Sequence, residues 1–154
     1  MSVGAVMLDA VGDEHEVGDE HEVVGMSAAA AGAGRSPLAV SLAYYQAWTV
    51  KDFDSAMTFI ADDIVCDAPG GRLEGAAAFR GFMEPFTSIV TRVELMAAFG
   101  DDRAALLMYD TDTVPVPHAP GAELHTVEDG KITRMTIIFD RQPFTQARAA
   151  APAG

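Results

Sequence analysis

Four segments between Val90 and Phe139 decide the fold: VTRVELMAAF (Val90–Phe99), AALLMYDTDTV (Ala104–Val114), ELHTVE (Glu123–Glu128) and KITRMTIIF (Lys131–Phe139). Apolar and polar side chains alternate along them with a period of two, the pattern of strands whose faces meet different surroundings. Asp101-Asp102 and Asp129-Gly130 are turn signals between neighbouring strands. Val114-Pro-Val-Pro-His-Ala-Pro-Gly121 is too rich in proline for a central strand and reads as a rim loop.

Toward the N-terminus the period becomes helical. Ser36-Pro37 offers an N-cap followed by proline at the first helical position. Leu38, Leu42, Tyr45 and Trp48 recur near helical spacing, with Tyr44 beside that stripe. Lys51-Asp52-Phe53-Asp54 opens a second helix with Phe53, Met57 and Ile60 as its buried face, and Asp62-Asp63 ends it. Ile64–Asp67 is a short strand stopped by Pro69-Gly70-Gly71. A third helix follows from Gly75 to near Ser88, with Phe79, Phe82, Met83 and Phe86 on its apolar side. Helices followed by a run of antiparallel strands define an α+β class, with three N-terminal helices covering a mainly antiparallel sheet.

The ends differ from this domain, which is read as residues 35–144. Residues 1–34 carry a tandem hexapeptide, Gly12–Val17 and Gly18–Val23, then an Ala/Gly-rich run. Seven acidic and no basic residues fall in the first 25, and no aromatic residue is there to build a core. Such a segment buries too little apolar surface to offset its ordering entropy and is expected to be a flexible tail. Met26-Ser27-Ala28 also resembles a start site, and His15 and His21 sit among carboxylates, a solvated acidic setting. Residues 145–154 are expected to be a second flexible tail.

Composition narrows the function. A chain of 154 residues that is 49% hydrophobic can fill one core. The net charge of -13, with ten scattered basic residues, excludes nucleic acid and disfavours anionic membranes. No apolar run reaches the roughly 18 residues of a membrane span. No basic region precedes an apolar stretch at the N-terminus, so a cytoplasmic location is expected. Cys66 stands alone, which excludes an internal disulfide and a cysteine-based metal cage. Gly70-Gly71 lacks the spacing and lysine of a phosphate cradle.

An ordered set of short motifs is similar to a known superfamily. Tyr44-Tyr45-x-Ala-Trp48, Asp52-Phe-Asp54, Phe59-Ile-Ala-Asp-Asp63 and the Asp67–Gly71 turn come first. Gly75…Phe79-Arg80 and Asp129-Gly-Lys-Ile132…Ile138-Phe-Asp140 follow. Together they resemble the nuclear-transport-factor-2-like superfamily, in particular its SnoaL-like branch, over nearly all of 36–144. The resemblance implies a cone-shaped, curved sheet whose helices enclose a pocket, and a homodimer through the opposite sheet face. It also implies relatives among steroid Δ-isomerases, epoxide hydrolases, dehydratases and polyketide cyclases. The fold alone does not carry any of those activities over.

Several residues are candidates for chemistry. Asp67, just before the Pro69 turn, stands where family enzymes often place a general base. An unpaired carboxylate in an apolar cavity has its pKa raised, which suits proton abstraction. The alternatives are a turn aspartate bonded to its own backbone, or a register that puts the base position at Ala68. Asp110 and Asp112 share one strand face with Leu106 and Met108, and two carboxylates in a dry cavity would hold a proton between them. They match the spacing of the epoxide hydrolases' Arg-x-Asp, but the third acid of that set falls near Ile137, which disfavours that reaction. Their alternative place is the solvated strand end. Glu123, His125 and Val127 share a face, and His125 is either an acid–base partner of Asp67 or Asp112 or a hydrogen-bonded core residue. By the resemblance, Tyr44 is the phenol that donates to a developing oxyanion and Glu123 the carboxyl that assists it; Tyr44 fits a core role equally. In the last strand Thr133, Met135, Ile137 and Phe139 face inward, leaving Ile132, Arg134, Thr136 and Ile138 outside. Asp140 reads as structural, with Arg141 as its partner.

The expected pocket lining is Trp48, Phe82, Met83, Phe86, Met108, Met135 and Phe139, which suits a small hydrophobic molecule. No cofactor and no metal is implied: His118, His125, Asp110 and Asp112 have ligand chemistry without ligand spacing. Two functions follow. One is an acid–base enzyme for isomerisation, dehydration or cyclisation of a carbonyl- or polyketide-like compound. The other is a non-catalytic binding or dimeric assembly module.

Overall fold

The computed structural model describes residues 34–153 and the backbone of residues 4–6; the acidic hexapeptide repeat lies outside the described residues. The strands are β1 (Gly4–Val6), β2 (Ile60–Ala68), β3 (Gly71–Glu74), β4 (Val90–Gly100), β5 (Ala104–Thr113), β6 (Gly121–Glu128) and β7 (Lys131–Phe139). They form one sheet in the order β1-β4-β5-β6-β7-β2-β3, antiparallel throughout except for the parallel β2–β7 pair. The helices are α1 (Pro37–Thr49), α2 (Phe53–Met57), α3 (Ala76–Ile89) and α4 (Gln142–Ala150). The expected class holds: α+β with a curved, open, mainly antiparallel sheet. A fourth helix after the last strand is one more than the sequence pattern places. Among the described residues no helix is long and apolar enough to cross a membrane.

The helix starts follow local chemistry. Ser36 Oγ accepts from the Ala39 amide at 3.1 Å, and Pro37 opens α1. Asp52 caps α2, accepting from the Ser55 amide at 3.0 Å and its hydroxyl at 2.6 Å. The buried stripe of α1 is Pro37, Val40, Ser41, Tyr44, Tyr45 and Trp48, whereas Leu38 and Leu42 are only partly buried. The helix turns its larger aromatic surfaces to the sheet, since they remove more apolar area from water. Ser41 falls in the middle of that stripe.

Three differences from simple periodicity have local causes. The helix begun at Phe53 stops at Met57, and Asp62-Asp63 lie inside β2, where pairing to β7 jumps from Ile60↔Ile132 to Val65↔Arg134. That bulge holds both carboxylates in solvent while Ile60 and Ile64 stay buried. Pro69-Gly70 does not end the sheet but turns the chain back as β3, pairing Ala68 with Gly71. In β7, Thr126 pairs with Arg134 and Val127 with Ile132, so Thr133 is an extra residue. Alternation slips there, and Ile132 is buried rather than outward.

Directly paired residues lie on the same sheet face, so the register sorts the side chains. Ala98↔Leu107↔Glu123↔Ile137 is an inner row that α1 covers, and His125↔Met135 joins it. Phe99↔Leu106↔Leu124 and Met108↔Ala122↔Ile138 are outer rows whose large members are exposed.

The helix α1 comes close to the sheet at Gly100, where a Cβ would stand 2.9 Å from Leu38 Cβ and 3.3 Å from the Ala104 carbonyl. Gly100→Ala is therefore expected to cost about 1–3 kcal/mol in urea denaturation. Gly81→Ala in α3, with nothing within 4 Å, should stabilise by up to about 1 kcal/mol. Equal midpoints for the two variants would contradict the close approach.

Candidate functional site

A cavity of about 420 Å³ opens between α3, α4 and the inner ends of β5 and β7, within the range of small-molecule sites. Its walls include Phe82, Met83 and Phe86 of α3, Tyr109 of β5, Ile137 and Phe139 of β7, and Arg141, Phe144 and Arg148 beside or on α4. Four expected lining residues are there: Phe82, Met83, Phe86 and Phe139. Three are not. Trp48 sits one layer back, against Phe86 at 6.3 Å between ring centroids and Tyr109 at 5.4 Å. Met135 is fully buried beneath the sheet's inner layer. Met108 is exposed on the outer face, because its pairing with Ala97 and Ala122 puts Tyr109, not Met108, inward.

Behind Tyr109 lies a buried polar chain. The Tyr109 hydroxyl donates to Glu123 Oε1 at 2.8 Å, and Glu123 Oε2 shares a hydrogen bond with His125 Nε2 at 3.0 Å. His125 Nδ1 meets Ser41 Oγ of α1 at 2.9 Å. Glu123, His125 and Ser41 are all fully inaccessible. A hydroxyl both donates and accepts, so Ser41 matches His125 Nδ1 in either tautomer. Burial, reinforced by the charge of Glu123, holds the Tyr109 phenol well above the ordinary range. Tyr109 is consequently a neutral donor at physiological pH.

Tyr44 packs edge-on against His125, with ring centroids 5.6 Å apart. Its hydroxyl and the Trp48 indole N–H are buried without a protein hydrogen-bond partner. Burial first, then Glu123, raises the Tyr44 pKa well above that of a free phenol. Neither residue is among those that line the cavity, whereas Tyr109 is. Burial also pushes the Cys66 thiol up to about 12.

The three candidate aspartates lie elsewhere. Asp67 faces away from buried Cys66 and pairs with Arg72, Oδ1 to Nε at 2.7 Å, with Arg134 at 3.8 Å. The Arg72 hydrogen bond holds its pKa low, so it is not the unpaired, raised carboxylate expected. Asp110 and Asp112 project from the outer side of β5 onto Arg92, at 2.5 and 2.8 Å. Arg92, then the His118 amide, lowers the Asp112 pKa. Asp110, Asp112 and His118 do cluster closely, but the Arg92 guanidinium supplies the positive charge between the two carboxylates. No proton-sharing dyad forms, and neither His125–Asp67 nor His125–Asp112 is a pair. Arg141 does not pair with Asp140: it donates to the Pro69 carbonyl at 3.3 Å, while Asp140 Oδ1 accepts from the Gln142 amide.

Sequence reasoning brought Glu123 and His125 to one inner face and missed Tyr109, Ser41 and the α4 wall. The signal for Tyr109 was the strand register. Leu107 faces Glu123 across the ladder, so an inward Glu123 requires inward Leu107 and Tyr109 and outward Asp110. Ser41 was hidden because a hydroxyl interrupts an apolar stripe.

Glu123→Ala would leave the Tyr109 hydroxyl and His125 ring without their shared acceptor in a dry interior. A loss of about 3 kcal/mol or more is expected in urea denaturation. Glu123→Gln keeps an acceptor for Tyr109 and should recover a large part of it. Equal, sub-kilocalorie effects would show that the chain carries no stability.

Relatives share this architecture. A crystal structure of a protein from Kribbella flavida DSM 17836 is 59% identical, with TM-score 0.74, over 76% of this chain and 97% of that one. An NTF2-like protein of unknown function from Cytophaga hutchinsonii ATCC 33406 is 20% identical, TM-score 0.64, covering 73% and 96%. A polyketide cyclase candidate from Sinorhizobium meliloti is 22% identical, TM-score 0.58, covering 64% and 93%. At these lower identities the likeness is one of fold. No curated protein matches the chain. The SnoaL-like domain family matches residues 42–135, more than half of the sequence, and the chain therefore belongs to that family.

Proposed function

We propose that the chain acts on a small hydrophobic carbonyl- or polyketide-like molecule by acid–base chemistry, with isomerisation, dehydration and cyclisation as the reaction classes. One observation carries this reading: Tyr109 is at once a wall of the apolar cavity and the first donor of a buried Tyr109–Glu123–His125–Ser41 chain. A substrate oxygen placed against Tyr109 takes the phenol's single hydrogen in place of Glu123 Oε1. Negative charge developing on that oxygen is stabilised where water is excluded. Asp67, Asp110 and Asp112 have no part in this scheme.

The experiment is turnover of a panel of small cyclic ketones and enones. Tyr109→Phe should keep the fold and lower the rate by about 10²–10³-fold. Asp67→Asn, Asp110→Asn and Asp112→Asn should leave it unchanged. Full activity in Tyr109→Phe would refute the assignment, and binding without conversion across the panel would favour a ligand-binding module.

The outer sheet face supports a second reading, a homodimeric assembly surface. Phe99, Leu106, Met108, Leu124 and Ile138 stand exposed in adjacent rows, and apolar surface of that continuity usually marks an interface. Sedimentation should give a dimer that Leu106→Glu with Leu124→Glu converts to a folded monomer. A wild-type monomer at high micromolar concentration would refute it.

A further inference from the structure

The cavity's charged lining is one-signed. Sixteen acidic residues follow Gly25, against ten basic ones, yet among the described residues no carboxylate lines the cavity and the charged walls are Arg141 and Arg148. The other arginines within ion-pair distance of acids, Arg72, Arg80, Arg92 and Arg134, are engaged with them elsewhere. Neither Arg141 nor Arg148 has a carboxylate partner among the described residues, and the Arg141 guanidinium donates to the Pro69 carbonyl beside Gly70. The two are seven residues apart, about two helical turns, so they fall on one side of α4. Phe144 and Thr145 stand between them on the same wall.

The helix that carries Arg148 is itself weakly held. No side chain of α4 is fully buried, and its aromatic anchor is Phe144, edge-on to Phe139 at 5.8 Å. A cavity with aromatic and aliphatic walls and two guanidinium groups at one side is complementary to an amphipathic anion. Arginine's planar fork matches a carboxylate in particular. In a protein of net charge -13 the general field repels such a ligand, so local cations at the mouth are what admits it.

We propose that the ligand of this cavity is a carboxylic acid: an apolar ring system that fills the space against Phe82, Phe86 and Phe139, with its carboxylate held by Arg141 and Arg148. Binding then ties α4 down as the cover of the site. This rests on the small-molecule reading above and specifies its ligand class.

Isothermal titration with naphthalene carboxylate and its uncharged amide tests the proposal at low ionic strength. The wild type should bind the acid about tenfold more tightly than the amide, and added salt should narrow the gap. Arg141→Gln with Arg148→Gln should abolish the preference and leave the amide's affinity unchanged, which also reports an intact cavity. The corresponding lysine pair should keep part of the preference, and Arg72→Gln, outside the cavity, all of it. Equal wild-type affinities, or a preference that survives in the double glutamine variant, would overturn the carboxylate assignment while leaving a small-molecule pocket standing. Failure of both probes to bind the wild type would overturn both readings.

Discussion

The constraint on which this structure turns is a carboxylate with no access to water. Taking Glu123 out of solvent costs several kcal/mol unless its oxygens are met by donors. They are met by Tyr109 from β5 and by His125 from its own strand β6. His125 is satisfied in turn by Ser41 from α1. The requirement links a helix and two strands through one hydrogen-bonded line. It accounts for a serine in the middle of an otherwise apolar helix stripe, and it selects a β5–β6 register that places Leu107 opposite Glu123. A shift by one residue would turn the tyrosine outward and leave the acid alone.

Charge is partitioned with the same logic. On the outside, Asp67 and the Asp110–Asp112 pair are neutralised by arginines from adjacent strands and remain near solvent, where ion pairs contribute modestly. Inside, one acid is retained and hydrogen-bonded. Among the described residues, the cavity between these layers has neither kind of carboxylate in its walls.

The site is also more composite than a pocket beneath three helices. Its far wall comes from the segment after the last strand, where Asp140 accepts the Gln142 amide and starts α4. Arg141 reaches across to the Pro69-Gly70 turn between β2 and β3. A turn that looked like a strand stop and a terminus that looked like a tail are therefore joined at the cavity. Membership of a fold family that hosts unrelated chemistries does not supply these particulars. The residues that meet the ligand space do.

Periodicity and turn chemistry were sufficient for the class, the four long strands and the starts of the three leading helices, because each depends on neighbours a few residues apart in the chain, and the family followed from a resemblance in the order of short motifs. They also placed Glu123 and His125 together, since residues two apart on a strand must share a face. What they misplaced was the face of β5 that looks inward, with Met108 expected in the lining where Tyr109 stands. Its two faces, Leu106-Met108-Asp110 and Leu107-Tyr109-Thr111, are about equally apolar, so local pattern has no preference between them. Pairing across the ladder settled that choice, as did the bulges that turned Ile132 inward and Asp62-Asp63 outward. Those pairings, together with the return of α4 over the sheet, arise from contacts between segments far apart in sequence, and only the folded chain brings them together.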